Sequence, residues 1–143
     1  MIHIKDFTFN SFQTRCSIVW DEGGNCAFID PGCSSSSELD ALKRTVSEKG
    51  LKPVCIMLTH GHFDHLLGAE FVCRRYDVPF AMSSKDKFLL ENGVASAELF
   101  GVRAGDMPTL DIDLEGRESI QFGDTTLQII STPGHTPGHV ALY

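Results

Sequence analysis

Five of the six histidines fall in two short windows. The first is Thr59-His60-Gly61-His62-Phe63-Asp64-His65, and the second is Ser131-Thr132-Pro133-Gly134-His135-Thr136-Pro137-Gly138-His139. Imidazole and carboxylate are borderline donors, suited to zinc and acceptable to iron. The i, i+2 spacing of His60 and His62 would point them apart on a helix but lets them converge on a tight loop. Gly61 between them permits a close backbone turn. A helix beginning near Leu66 would account for Asp64 alone, as its N-cap. It does not account for four donor residues within six positions. In the second window Pro and Gly hold a rigid turn, so a histidine there is ordered at little entropic cost. His3 lies far from both windows and reads as an ordinary strand residue. No Ser–His–Asp or Cys–His arrangement is evident.

Both windows follow strand-like segments. Residues 2–9, 14–20 and 25–30 are strand-like segments, with Glu22-Gly23-Gly24-Asn25 as the turn between the second and third. Ser35-x-x-Glu38 is a capping box, Leu39, Leu42 and Val46 share a helical face, and Gly50 closes that helix. Residues 54–59 form a buried strand that ends at the first window. A helix over 66–76, a strand over 78–82 and a short helix over 85–92 follow. Residues 93–115 carry no clear period and are expected to be a long loop. Residues 119–122 and 125–131 form a hairpin about Gly123-Asp124, and a last strand begins at His139. Strands followed by strand–helix alternation predict a mixed sheet covered by helices.

At 143 residues the chain is one domain, 1–143, with a real core. The net charge is −7, and basic residues come in pairs such as Lys43-Arg44 and Arg74-Arg75, not in stripes, which argues against a nucleic-acid partner and leaves a small-molecule substrate. No apolar run approaches the roughly 18 residues of a membrane span. The first residues alternate apolar and polar, unlike a signal peptide. Five cysteines, at 16, 26, 33, 55 and 73, form no C-x-x-C pair and read as reduced packing thiols of a cytoplasmic protein. Cys33, just after Asp30-Pro31-Gly32, also reads as packing.

Taken together, the two windows closely resemble the metallo-β-lactamase superfamily. Its H-x-H-x-D-H signature stands as His60–His65, its G-H-T-x-G-H element as Gly134–His139, and its aspartate-bearing loop as Asp30-Pro31-Gly32. The run Thr-Pro-Gly-His-Thr-Pro-Gly-His looks most like the glyoxalase II branch, thioester hydrolases acting on hydroxyacylglutathione. The resemblance spans residues 14–143. It implies an α+β fold, the four-layered αββα sandwich. It places His60, His62 and His135 on one zinc, and Asp64 and His65 on a second metal, with iron or manganese as alternatives. It makes Asp64 catalytic, Asp30 a support of the metal loop, and His139 a hydrogen-bonding residue. The implied reaction is hydrolysis of a small thioester or related ester by a zinc-bound hydroxide. Persulfide dioxygenases resemble these motifs too and use one iron, so an oxidoreductase stays open, as does a non-catalytic metal-binding module or inactive fragment. Two-metal members carry a bridging aspartate and a further histidine beyond the second window, whereas this chain ends four residues after His139, within an apolar run. The expectation is a C-terminally truncated sandwich whose first site binds more tightly than its second, and whose open sheet edge favours a homodimer.

Overall fold

A computed structural model describes residues 2–143. Strands β1 (His3–Phe9), β2 (Thr14–Trp20) and β3 (Asn25–Ile29) form an antiparallel meander. The chain then alternates α1 (Ser36–Glu48), β4 (Lys52–Met57), α2 (Ala69–Tyr76), β5 (Phe80–Met82), α3 (Lys87–Glu91), α4 (Gly93–Leu99) and β6 (Ile112–Asp113). Strands β3 to β6 run parallel, giving one six-stranded sheet in the order β1-β2-β3-β4-β5-β6. Parallel neighbours cannot be joined by a tight turn, so each needs a crossover, and the helices supply it. A second, antiparallel sheet holds β7 (Ser119–Phe122), β8 (Thr125–Ser131) and β9 (Val140–Leu142).

Side chains on the central strands alternate between two cores, as a two-residue period requires. Cys26, Phe28, Ile56, Leu58, Phe80 and Met82 face the helices, where they meet Leu42 and Val46 of α1 and Val72 of α2. Ala27, Cys55, Met57 and Ala81 face the other way and pack on Ile120, Phe122 and Val140 of the second sheet. The central strands are therefore apolar on both faces. Among the described residues this gives helix, sheet and sheet layers of a mixed α+β fold. Each fully buried leucine or phenylalanine in these layers contributes about 1.5–3 kcal/mol.

Ser35 caps α1, its hydroxyl accepting the Glu38 N–H at 3.3 Å. The return half of the expected box differs. The Glu38 carboxylate accepts the N–H groups of Ser34 and Asn10 instead, tying the helix to the β1–β2 turn. Strand β4 begins two residues earlier than its apolar run and stops at Met57. Pro53 lies inside it, and the pairing slips between Cys26 and Ala27, opposite the residue that has no N–H to give. The helix expected from Leu66 begins only at Ala69, after a 3-10 turn over Phe63–His65. That turn puts the candidate ligands Asp64 and His65 in a loop conformation and leaves Gly68 to start the helix. The expectation of a loop over 93–115 is corrected: α4 and the two-residue β6 lie within it. Gly93 packs on Met107, and Ile112 pairs with Ala81. Both are contacts between distant residues that leave no local period.

The Asp30 loop lies directly on the first histidine window. A Cβ on Gly32 would stand 2.2 Å from the Asp64 carbonyl oxygen and 3.0 Å from Asn10 Nδ2. Gly32→Ala is expected to force these loops apart at a cost of about 1–3 kcal/mol. The check is urea unfolding, where the midpoint should fall with the slope unchanged.

Candidate metal centre

His60 leaves the end of β4 almost fully buried, 4% exposed. Its Nδ1 lies 3.0 Å from Thr59 Oγ1. That hydroxyl donates its single proton to Asp30 Oδ2 at 2.7 Å, so the hydrogen between Thr59 and His60 must come from Nδ1. The tautomer follows: Nδ1 is protonated and Nε2 carries the lone pair. His60 Nε2 is buried with no hydrogen-bond partner among the described residues. A buried, unpaired acceptor is costly unless something outside the protein completes it.

His62 and His135 supply the rest. His62 Nδ1 and His135 Nε2 are 3.0 Å apart, and donor atoms of His60, His62 and His135 all lie within 4.8 Å of one another. Burial, then the His65 charge, pushes the His60 pKa down from 6.5 to about 4. Burial, then the His135 charge, also lowers that of His62. Both are thus neutral at pH 7, the state a ligand needs.

The other expected residues are arranged differently. Asp30 is buried, in a left-handed conformation at φ 53°, and accepts the Thr59 N–H as well as its hydroxyl. Its carboxylate also groups with His60 and His65 within 4.8 Å, so it can act as a donor as well as a support. His65 Nδ1 lies 3.1 Å from Asp30 Oδ2 but off the line a good hydrogen bond needs. Burial lowers the His65 pKa, yet the contact and charge of Asp30, with the charge of Asp64, outweigh it and raise the net value. Asp64 joins neither three-residue group. It accepts Thr14 Oγ1 at 2.7 Å and lies 3.5 Å from His65 Nε2. His139 also stands outside both groups, with its Nδ1 2.7 Å from Thr132 Oγ1. Cys33 is buried against Gly68, and burial pushes its thiol up to about 12, the environment of a packing residue.

The motifs did not reveal Asp86. It sits on the 3-10 turn after β5, fully buried. One carboxylate oxygen accepts the Gly61 N–H at 2.9 Å and the Thr136 hydroxyl at 2.7 Å, and the other accepts the Gly138 N–H at 2.7 Å. It therefore clamps the glycine between His60 and His62 to the two residues flanking Pro137 in the second window. Gly138 has to be glycine because a Cβ there would stand 2.8 Å from that carboxylate. The one sequence hint was an acid at a helix start, which reads equally well as a dipole partner.

Two outcomes follow. Asp86→Asn places an N–H donor against the amide donors of Gly61 or Gly138. It should weaken zinc affinity about 10–100-fold, measured by competition with a chromophoric chelator. In metal-free protein, the unfolded chain takes up a proton near pH 6.5 that folded His60 refuses until about pH 4. Stability should therefore fall as pH drops through that window. Melting temperature against pH should show a shallower slope for His60→Gln. The opposite contribution of His65 is common to both proteins.

A profile of the metallo-beta-lactamase superfamily matches residues 10–143. The Haemophilus influenzae hydroxyacylglutathione hydrolase GloC is 33% identical over 146 residues, covering 97% of this chain and 65% of that protein. The probable metallo-hydrolase YqgX of Bacillus subtilis is 33% identical over 120 residues, covering 82% of this chain and 54% of that protein. The chain thus spans about half to two thirds of the length of these curated relatives. Among solved structures, the B3 metallo-beta-lactamase BLEG-1 superposes with a TM-score of 0.87 at 27% identity, covering 99% of this chain and 66% of that one. TTHA1623, solved in a di-iron-bound form, gives 0.81 at 31% identity, covering 97% and 66%. No helix among the described residues is long and apolar enough to cross a membrane. With the profile covering nearly the whole sequence and the sandwich superposing on solved members, this chain belongs to the metallo-beta-lactamase superfamily.

Proposed function

We propose that this protein belongs to a metal-dependent hydrolase of small thioesters or related esters, with zinc held by His60, His62 and His135. One observation carries the reading: three imidazole donors converge, and the buried Nε2 of His60 is left with a lone pair and no partner. The donor set fits zinc: neutral imidazoles, with the Thr59 hydroxyl, itself held by the Asp30 carboxylate, fixing the orientation of His60. The di-iron form of TTHA1623 supports iron as an alternative occupant. When bound, the metal supplies Lewis-acid polarisation of a carbonyl and a water whose pKa falls to about 7.

The protein's own groups do the rest. Thr14 holds one oxygen of Asp64 and so orients the carboxylate beside His65. In this reading Asp64 accepts a proton from the attacking water and, with His65, offers donors to a second ion. Hydrolysis forms a C–O bond to the carbonyl carbon and breaks the C–S bond. One water proton ends on the departing thiolate, and the other is released as the carboxylic acid ionises. A thiolate leaves without a strong general acid. The hydroxyacylglutathione hydrolase among the relatives supports the thioester class. Five unbridged cysteines favour a reducing, cytoplasmic setting.

The test is metal content with thioester turnover. Wild-type protein should hold zinc, lose turnover on chelation and regain it on zinc addition. His60→Ala with His62→Ala should lose both metal and turnover. Unchanged metal content and rate in the double variant would refute the reading. Iron in the protein, with oxygen uptake on a persulfide, would replace it by a dioxygenase.

A further inference from the structure

Beside the metal centre lies a cavity of about 380 Å³, at the small end of the range for ligand pockets. His62 and Asp64 line it, so it opens onto the site directly. The rest of its wall is mainly aromatic and aliphatic, from Phe12, Phe63, Phe100 and Leu89. The three rings form a mutual cluster: Phe12 meets Phe63 edge-on at 5.4 Å and Phe100 edge-on at 6.1 Å, and Phe63 meets Phe100 at 5.4 Å. Yet Phe12 is 41% exposed and Phe100 66%. A cluster of aromatic rings left partly open around a concavity beside the candidate site marks a place where something apolar binds.

Phe12 is also held there on purpose of geometry. It sits on the β1–β2 turn between Asn10 and Gln13, both non-glycine residues in left-handed conformations at φ 55° and 56°. Such backbone persists where its surroundings over-determine it. Here they do: Asn10 Nδ2 donates to the carbonyls of Asp64 and Gly32, and Asn10 Oδ1 accepts the Phe12 N–H at 2.8 Å. The turn that presents the ring is thus tied to the backbone of the metal loop.

We infer that this cavity is the acyl subsite, and that it selects an apolar acyl group, aryl or medium-chain alkyl. The inference rests on the hydrolase reading above. Charge decides which end of the substrate enters. Among the described residues no lysine or arginine lines the cavity, and its one charged group is Asp64. The common thiol carriers are anionic and would find no cationic side chain there to pair with. An apolar acyl chain is accepted, which leaves the scissile carbonyl at His62 and Asp64 and the carrier pointing outward.

The experiment uses zinc-loaded protein and N-acetylcysteamine thioesters of acetate and phenylacetate, with 4-phenylbutyrate as a non-hydrolysable probe. Wild type should prefer phenylacetyl over acetyl in kcat/KM by at least about tenfold. Phe12→Ala and Phe100→Ala should each collapse that ratio, while Leu99→Ala, exposed and outside the cavity, should leave it intact. Phenylbutyrate should shift the amide resonances of Phe12 and Phe100 in an NMR titration, and weaken in both cavity variants. Binding of the probe without thioester turnover would sustain the apolar subsite and sink the thioesterase. Turnover with no acyl preference and no probe binding would sink the subsite and leave the hydrolase standing, as would a cavity already filled by other parts of the polypeptide.

Discussion

The bidentate hold of Asp30 on Thr59 is the interaction on which the candidate metal centre depends. Asp30 follows β3 and Thr59 follows β4, two parallel neighbours. One carboxylate oxygen accepts the Thr59 N–H and the other accepts its hydroxyl. This joins the ends of the two strands and consumes the one proton Thr59 has. His60 is then compelled to donate from Nδ1 and to present Nε2 as an acceptor. The strained backbone of Asp30 and its burial serve the same bond, since a buried carboxylate is tolerable only when paired. Thr59 then gives its carbonyl to Val140 N–H at 2.8 Å, so the strand after the second window is anchored at the same point.

Asp86 does for the two windows what Asp30 does for the two strands. A single buried carboxylate, satisfied by three donors, sets the distance between the His60–His62 loop and the His135 loop. A network of this kind is rigid because every member has its partner, and it would be unstable with one removed. The helices act at one remove. They let β3, β4 and β5 run parallel, so that the loops following all three emerge at one edge of the sheet, where such folds collect their sites. The β1–β2 turn joins this edge from the antiparallel side, carrying Phe12 with it.

Much of this was legible in the residues. The density of donors in His60–His65 and the rigid turn around His135 pointed to a metal before any strand was placed. The alternation of Cys26, Phe28, Ile56 and Leu58 with Ala27, Cys55 and Met57 is the two-sided burial that short apolar runs announce. Helix α1 was legible from its cap and its apolar face, because both are local. Helix α4, β6 and the late start of α2 were not, because each is held by distant contacts: Gly93 on Met107, Ile112 on Ala81, and Gly68 on Pro31 and Cys33.

The sequence alone determined which chemistry was available: neutral nitrogen donors, carboxylates, small turn residues and two faces of apolar strand, all expressed over a few neighbouring positions. Only the tertiary structure decided how that chemistry is held. The partners of Asp86 lie 25, 50 and 52 residues away, and the threonine that orients Asp64 lies 50 residues before it. Hydrogen bonds of that span have no period and no composition. They exist only once packing has brought their donors and acceptors out of water together.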